Sequence, residues 1–476
     1  MTKNIKIYNT LSGKKDVLKP IKGKKINLFV CGPTVYDYSH IGHARTYVIF
    51  DAFVKYLRGQ GFTVYYLQNI TDTDDKIIAR AREKGVTPKD LAEAFEKEYL
   101  KDMKILGVNG VSKYARATAH IKDIISQIKR LQAKKYAYVI EGDGIYFDIA
   151  KFKNYGKLAG RTVLQAEDSV SRIDYSKDKI NRGDFCLWKF SEKAGLPKAD
   201  DAEPSWAAPF GNGRPGWHIE DTAITEKFFG AQYDIHGGAR DIIFPHHEAE
   251  IAQMEAVSGK HPLVKYWMHT GFLTVNNQKM GKSLGNFITI SDLLKRCPAN
   301  YLRYFIVKNS WHSPVDYSES AMIEVKSAVE KIEEFLRKLK KQNLNIKSTK
   351  ENLKLIKGFK ENFYKELADD FNTPKAFAVM FEFINKENSV LDKEPISKKD
   401  SADVYKFFQE INKIFGIINF DKVNVIIPTE IKKLAKLRET HRANKEWQKA
   451  DEVRALIEKE GFTVEDTKGG FDLKKL

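Results

Sequence analysis

Residues 26–57 constrain the fold most, because a strand, a turn and a helix start follow one another there. The apolar run 26–30 predicts a buried strand, and the Cys-Gly-Pro sequence at 31–33 ends it. Ser39 is the expected N-cap of a helix over about 40–58, because apolar residues recur there at helical spacing. A strand that leads into a helix N-terminus presents unpaired backbone N–H groups and the positive end of the helix dipole. The sequence therefore predicts a turn suited to a nucleotide triphosphate.

Two imidazoles lie at this turn. His40 and His43 stand on either side of Gly42, whose missing side chain lets a flat ligand approach the backbone. The same residues also fit two histidines at an ordinary helix start, so this pattern alone leaves both interpretations open. A second signal comes from residues 279–286, Lys-Met-Gly-Lys-Ser-Leu-Gly-Asn, which form a basic loop far downstream.

Together the two motifs resemble those of class I aminoacyl-tRNA synthetases, in which a lysine loop accompanies the histidine motif. Further stretches resemble the cysteinyl-tRNA synthetase family within that class: 31–37, 69–72, 213–220, 234–238 and 244–250. The resemblance runs from about residue 8 almost to the C-terminus. It implies an α/β catalytic domain with a doubly wound, Rossmann-like parallel sheet. The strand, helix and strand of residues 26–67 independently predict the start of such a sheet.

The resemblance implies that His40 and His43 are catalytic and bind the phosphates of ATP together with Gly42. Amino-acid activation joins a carboxylate to the α-phosphate and expels pyrophosphate. Catalysis of that step is chiefly a matter of positioning and of neutralising the growing charge. ATP is expected to enter with Mg²⁺.

The lysine loop is expected to close on the departing pyrophosphate. The resemblance makes Lys279 and Lys282 catalytic, because their charges are matched to the transition state. Gly281 stands where the family often has Ser, which removes a hydroxyl but leaves both charges. Met280 and Ser283 complete the expected ATP site.

The resemblance also implies a zinc site. In the family the ion is bound by a Cys in the first strand turn, by a Cys after Trp-His-Ile-Glu, and by a His and a Glu four residues apart. Cys31, His246 and Glu250 match this pattern, whereas the second cysteine position holds Asp221. Aspartate keeps the ligand charge and replaces a soft donor with a hard one that zinc also accepts. We therefore expect these four residues to bind Zn²⁺ less tightly than a two-cysteine site does.

Each of these residues also has an interpretation without a metal. Cys31 fits an ordinary buried thiol, Asp221 fits a helix cap, and His246 with Glu250 fits a surface pair. If zinc is present, it binds the substrate sulfur as a thiolate, which a serine hydroxyl does poorly. By resemblance the cysteine pocket consists of Cys31, Gly32, Thr71, Trp217 and His246.

The composition indicates the class of partner and the cellular compartment. Lys plus Arg number 80 against 63 Asp plus Glu, and the net charge of +17 favours a polyanion such as RNA. The three cysteines are too few and too scattered for a disulfide framework. The N-terminus has no apolar signal core, and no stretch approaches the roughly 18 apolar residues of a membrane span. We therefore expect a cytoplasmic protein without a membrane partner.

The chain is long enough for several domains. We predict a catalytic domain at 1–300 with an insertion at about 107–210, a helical bundle at 301–419, and a small anticodon-side domain at 420–476. Within the catalytic domain, 217–220 is expected to return the chain to the sheet.

The expected activity is ATP-dependent joining of L-cysteine to cysteine tRNA by a monomer. Two alternatives remain open at this point. One is a ligase with the same core that transfers cysteine to an amino sugar, against which residues 420–476 argue. The other is an RNA-binding relative that has lost activation, against which the intact His40, His43, Lys279 and Lys282 argue.

Overall fold

A computed structural model describes residues 4–161, 176–191, 203–281, 284–342, 344–424, 427–467 and 470–475. The predicted ATP-site residues Lys282 and Ser283 lie outside these ranges. Among the described residues, no helix combines the length and apolar character that crossing a bilayer requires.

The strands are β1 Lys6–Asn9, β2 Lys14–Val17, β3 Lys25–Val30, β4 Thr63–Ile70, β5 Lys113–Arg116, β6 Ala137–Ile140, β7 Gly144–Phe147, β8 Phe185–Phe190, β9 Gly213–Pro215, β10 Tyr233–Ala239, β11 Val264–Thr270, β12 Leu273–Val275, β13 Gln278–Lys279, β14 Val315–Tyr317, β15 Phe462–Thr467 and β16 Gly470–Lys475. The α-helices are α1 Ile41–Gly59, α2 Asp75–Lys84, α3 Pro88–Ile105, α4 Ile121–Ala133, α5 Ile219–Phe229, α6 Glu248–Ser258, α7 Ile290–Leu294, α8 Ala299–Val307, α9 Glu319–Lys341, α10 Lys350–Ala368, α11 Thr373–Leu391, α12 Lys398–Phe415, α13 Phe420–Val423, α14 Thr429–Ala443 and α15 Trp447–Lys459.

A parallel sheet of five strands forms the centre of the catalytic part, in the order β11-β10-β3-β4-β5. Strand β3 lies in the middle, with Leu28 opposite Ile235 on one side and Tyr66 on the other. The sheet confirms the predicted fold class. In such sheets ligands bind outside the carboxyl ends of the strands, and β3, β4 and β10 bring Cys31, Thr71 and the turn before α6 to that edge.

Two local predictions are wrong. Helix α1 begins after His40, and the imidazole of His40, not the hydroxyl of Ser39, caps it. The segment 217–220 does not form a strand, because it enters helix α5 directly and the central sheet resumes only at β10.

A second sheet, antiparallel and in the order β6-β7-β8-β9, is formed by the part of the chain between strands β5 and β10 of the first sheet. Its first two strands, β6 and β7, form a hairpin. The insertion was expected at about 107–210, yet β5 inside that range pairs with β4 of the parallel sheet, and β9 extends the second sheet to Pro215.

Helices α9 to α12 form the expected helical region. Their apolar faces join one continuous core with helix α1 and the parallel sheet. Helices α14 and α15 pack with β15 and β16 around a separate small core that includes Ile431, Ile457 and Val464. The predicted domain limits themselves stay predictions.

Arg303 of helix α8 connects three parts of the molecule. Its guanidinium lies 3.0 Å from the Asp51 carboxylate of α1, and both side chains are buried. It also donates to the carbonyl of Leu106 at 2.9 Å and to that of Phe415, at the end of α12, at 2.5 Å. Asp51 also accepts from the backbone of Gly110 at 2.8 Å, so this buried charge is paired on several sides.

Candidate active site and metal centre

The histidine turn is a capping box made of two imidazoles. His40 Nδ1 accepts from the Gly42 N–H at 3.1 Å, and His43 Nδ1 accepts from the His40 N–H at 3.3 Å. The two rings stack with centroids 3.8 Å apart. Burial and the neighbouring His40 hold the pKa of His43 well below its usual value. Because Nδ1 accepts in both rings, a neutral ring carries its proton on Nε2, and Nε2 is the nitrogen that could donate to a phosphate oxygen.

The described part of the lysine loop lies beside this turn. Met280 is close to Gly42, since its methyl would be 3.7 Å from a Cβ placed there. Asn286 closes the loop by accepting from the Gly281 N–H at 2.9 Å and donating to the Lys279 carbonyl at 3.2 Å.

The segment after the loop pairs with the histidine turn. Ile41 N–H donates to the Ile288 carbonyl at 3.1 Å, and Ile290 N–H donates to the Ser39 carbonyl at 2.9 Å. The two nucleotide motifs predicted from sequence are thus brought together, and the exposed Lys279 stands at their rim.

The Cys31 turn is tied to the end of β4. Gly32 donates its N–H to Asn69 Oδ1 at 2.5 Å, and a Cβ at Gly32 would overlap the backbone carbonyl of Asn69. Glycine is therefore required where strands β3 and β4 end side by side. This packing fixes the direction of the neighbouring Cys31 side chain.

The four predicted metal ligands converge in a buried cluster. Cys31 Sγ lies 3.3 Å from Asp221 Oδ2 and 3.9 Å from Glu250 Oε1. His246 Nε2 lies 3.1 Å from the same Asp221 oxygen and 3.0 Å from Glu250 Oε1. All four side chains are buried, so the surface-pair interpretation of His246 and Glu250 is wrong.

Asp221 does not cap helix α5. It lies in the first turn of the helix, whose N-cap position is His218 and lacks a side-chain cap bond. The preceding Glu220 accepts a short hydrogen bond from the Thr71 hydroxyl at the end of β4. This bond fixes the start of α5 against the sheet and so directs Asp221 toward Cys31.

Burial and neighbouring charges shift the pKa values of three residues of the cluster. Burial, reinforced by the carboxylates of Asp221 and Glu250, raises the pKa of the Cys31 thiol well above its usual range. Burial raises the pKa of Glu250 to about 7, although His246 opposes this. Burial by itself would lower the pKa of His246, but Glu250 and Asp221 raise it to about 10. Burial thus favours the protonated forms of Cys31 and Glu250, and a divalent cation would displace those protons.

The donor set fits a divalent metal ion. A thiol, an imidazole and two carboxylates offer sulfur, nitrogen and oxygen, all of which zinc accepts. The second oxygen of Asp221, Oδ1, is buried and has no hydrogen-bond partner among the described residues. Such an orphaned acceptor is costly unless a cation or a proton satisfies it.

Sequence reasoning missed two histidines of this cluster. His247 Nε2 lies 3.1 Å and His236 Nε2 lies 3.4 Å from Cys31 Sγ. Burial lowers the pKa of both rings well below the usual value. Both residues stand in stretches that carry the family resemblance, and the adjacent pair of histidines at 246 and 247 was the available signal.

Among the residues expected to bind cysteine, Trp217 covers the cluster. It stacks on His246 with centroids 4.5 Å apart and an interplanar angle of 21°. The ring is 37% exposed, so it stands between the buried donors and solvent. Thr71 donates to Glu220, the residue that precedes Asp221.

The parallel sheet, the paired histidine and lysine motifs and the metal-capable cluster at the carboxyl edge define a class I aminoacyl-tRNA synthetase. In agreement, the family described as tRNA synthetases class I (C) catalytic domain matches residues 17–327, and the DALR domain matches 362–419. A cysteine–tRNA ligase from Thermococcus gammatolerans is 42% identical over 495 residues, covering 99% of each chain. One from Methanococcus maripaludis is 42% identical over 487 residues, again covering 99% of each. The chain belongs to the cysteine–tRNA ligase family.

The structural comparison supports the same fold. Mycobacterium tuberculosis methionyl-tRNA synthetase in complex with methionyl-adenylate aligns with a TM-score of 0.57 at 15% identity, covering 83% of this chain and 90% of that one. At this identity the likeness concerns the fold alone.

Proposed function

We propose that this chain activates L-cysteine with ATP and transfers it to the 3′ end of cysteine tRNA. The cysteine carboxylate attacks the α-phosphate, the bond to the β-phosphate breaks, and pyrophosphate leaves. A terminal tRNA hydroxyl then attacks the carbonyl carbon, and AMP leaves. One observation carries the proposal, namely that the Cys31 cluster and the His40 turn stand at the carboxyl edge of one sheet, where a small amino acid can reach bound ATP.

At the ATP end of the site, His40 and His43 donate through Nε2 to phosphate oxygens, and Gly42 leaves room for the phosphates. Lys279 and Lys282 neutralise charge on the pyrophosphate as it departs. The remaining loop residues Met280, Gly281 and Ser283 complete the ATP site, and Mg²⁺ accompanies the nucleotide.

At the cysteine end, Cys31, Asp221, His246 and Glu250 would hold Zn²⁺. A bound zinc ion would accept the substrate sulfur as a thiolate, which distinguishes cysteine from serine. Trp217 screens the site from solvent by its stack on His246, and Thr71 positions the first turn of α5. Gly32 keeps the strand end close to β4, so the backbone beside Cys31 stays open to the amino acid.

The test is cysteine-dependent ATP–pyrophosphate exchange followed by tRNA charging. We expect exchange with cysteine, little exchange with serine at the same concentration, and cysteinylation of cysteine tRNA. Exchange stimulated equally by serine would contradict the specificity. Exchange without charging would favour the amino-sugar ligase, and absence of exchange would favour the RNA-binding relative.

We assign the tRNA contact to the C-terminal domain, residues 420–476, and to residues 331–360, which include ten Lys or Arg and three Glu. Trp447 on helix α15 is 56% exposed, and the guanidinium of Arg442 lies 5.6 Å from its ring centroid. An exposed aromatic ring beside Arg side chains is the arrangement on which unpaired bases stack. The positive net charge favours the same partner.

Trp447→Ala is expected to raise the KM for tRNA in charging about tenfold, because base stacking contributes about 1–3 kcal/mol. Pyrophosphate exchange, which needs no tRNA, should not change. Leu456→Ala is the matched control, since Leu456 is 50% exposed on the same helix but has no ring. An unchanged KM in Trp447→Ala would remove this residue from the tRNA contact.

A further inference from the structure

We propose that, in the absence of cysteine, His247 is a direct ligand of the metal ion in this chain, in addition to Cys31, Asp221, His246 and Glu250, and that it gives up its position when the substrate sulfur binds. This inference rests on the proposed metal site. Its basis is that one ligand atom each from Cys31, His246, His247 and Glu250 lies within 4.8 Å of all the others. Ligands about 2.0–2.3 Å from one ion lie at most about 4.6 Å apart, so this spacing is close to that of a metal centre.

The orientation of the His247 ring favours ligation. Its Nδ1 lies 2.8 Å from His269 Nε2, and His269 Nδ1 lies 2.7 Å from the Thr10 hydroxyl. The outer nitrogen is therefore held by a second side chain, while Nε2 faces Cys31 Sγ at 3.1 Å. Metal-binding histidines almost always show this division, with one nitrogen on the ion and the other on an outer partner.

The donor chemistry of this chain gives His247 a reason to bind. Asp221 supplies a hard carboxylate, leaving Cys31 as the only thiolate of the centre. Carboxylate donates less charge to zinc than thiolate does, and an additional imidazole compensates for part of that loss. Asp221 Oδ2 contacts Cys31 Sγ at 3.3 Å and His246 Nε2 at 3.1 Å. His247 Nε2 also contacts Cys31 Sγ directly, so Asp221 does not separate the two.

His236 provides an internal comparison. Its Nε2 also points toward Cys31, at 3.4 Å, and its Nδ1 lies 2.7 Å from the Tyr233 hydroxyl. Among the described residues, the group of mutually close ligand atoms includes His247 but neither His236 nor Asp221. Asp221 Oδ2 contacts two members of that group, Cys31 Sγ and His246 Nε2. His236 Nε2 is farther from Cys31 Sγ than His247 Nε2 is, at 3.4 against 3.1 Å, so we assign His236 to the surroundings of the ion and His247 to its coordination.

The experiment uses the full-length protein loaded with Co²⁺ in place of zinc, and reads visible absorption. We expect the weak d–d bands of a five-coordinate ion in the unchanged protein. His247→Gln should give the stronger bands of a four-coordinate ion, and the control His236→Gln should leave the spectrum unchanged. Asp221→Cys should also give four-coordinate bands and release metal to a chelator more slowly, because a second thiolate makes the additional imidazole unnecessary.

X-ray absorption of the zinc-loaded, unsubstituted protein checks the same point without any variant. We expect one sulfur and the outer-shell scattering of two imidazoles. A single imidazole, or a strong four-coordinate cobalt spectrum that His247→Gln does not alter, would overturn the assignment of His247 while leaving cysteine activation intact. Failure to bind either metal in a protein that still performs cysteine-dependent exchange would overturn the metal site and this inference together.

Discussion

His40→Asn is expected to lower the rate of cysteinyl-adenylate formation by about 10²–10³-fold while helix α1 remains folded. Asparagine is a good N-cap residue, and its side-chain oxygen can accept from the Gly42 N–H as His40 Nδ1 does. Asparagine has no group at the position of His40 Nε2, the atom that we propose donates to a phosphate oxygen. The substitution thus removes the proposed donor and keeps the cap.

The measurements are pyrophosphate exchange and thermal unfolding on the same preparation. Ser39→Ala is the matched control, since the Ser39 hydroxyl does not cap α1, and neither its exchange rate nor its melting temperature should change. If His40→Asn retained an exchange rate within a few fold of the parent, the assigned role of His40 would be wrong. A large drop in melting temperature would instead identify His40 as chiefly structural.

Glu387→Gln is expected to stabilise the helical region by roughly 2–3 kcal/mol at pH 8 and to have little effect at pH 4. Glu387 is fully buried on helix α11, and among the described residues neither of its carboxylate oxygens meets the geometry of a hydrogen bond. Burial raises its pKa to about 7, with a contribution from Asp400, while Asn352 acts in the opposite direction.

The sign follows from the two protonation states. With a pKa of about 7 in the folded chain against a model value of 4.5, the folded state binds the proton more tightly. Stability is therefore highest below pH 4.5, falls as the pH rises toward 7, and stays low above it. Glutamine remains neutral throughout and should remove this dependence.

Melting temperatures of parent and variant between pH 4 and pH 8 provide the measurement. Glu382→Gln on the same helix is the control, because Glu382 is exposed and pairs with Lys386 at 2.6 Å. A parallel pH profile for the parent and Glu387→Gln would show that this carboxyl is not the source of the dependence.

The sequence predicted the parallel sheet and the meeting of the two nucleotide motifs, because both depend on periodicity and on short motifs. It did not predict that an imidazole caps α1. Serine is a preferred N-cap and histidine is not, and only the partner ring of His43 makes His40 suitable. Likewise the sequence predicts a return to the sheet at 217–220, where helix α5 begins instead, since the contact of this helix with Thr71 is tertiary.

The position of His247 beside Cys31 could not be predicted from the spacing of residues in the sequence. On a regular helix, adjacent residues point about 100° apart, so His246 and His247 would not face one ion. The residues before α6 form a wider turn, Ile243–His247, in which Phe244 has a non-helical backbone. Both imidazoles contribute a nitrogen to the group of mutually close ligand atoms that includes Cys31. The cytoplasmic location and the monomeric state stay predictions.

Arg303 links the helical region to helix α1, which begins at the histidine turn. The segment that follows the lysine loop is hydrogen-bonded to the first turn of helix α1. Near the middle of the helix, Arg303 pairs with Asp51 and also donates to the carbonyl of Phe415, the last residue of α12. The end of α12 and the helix whose N-terminus carries His40 and His43 are therefore joined by one buried side chain through direct contacts.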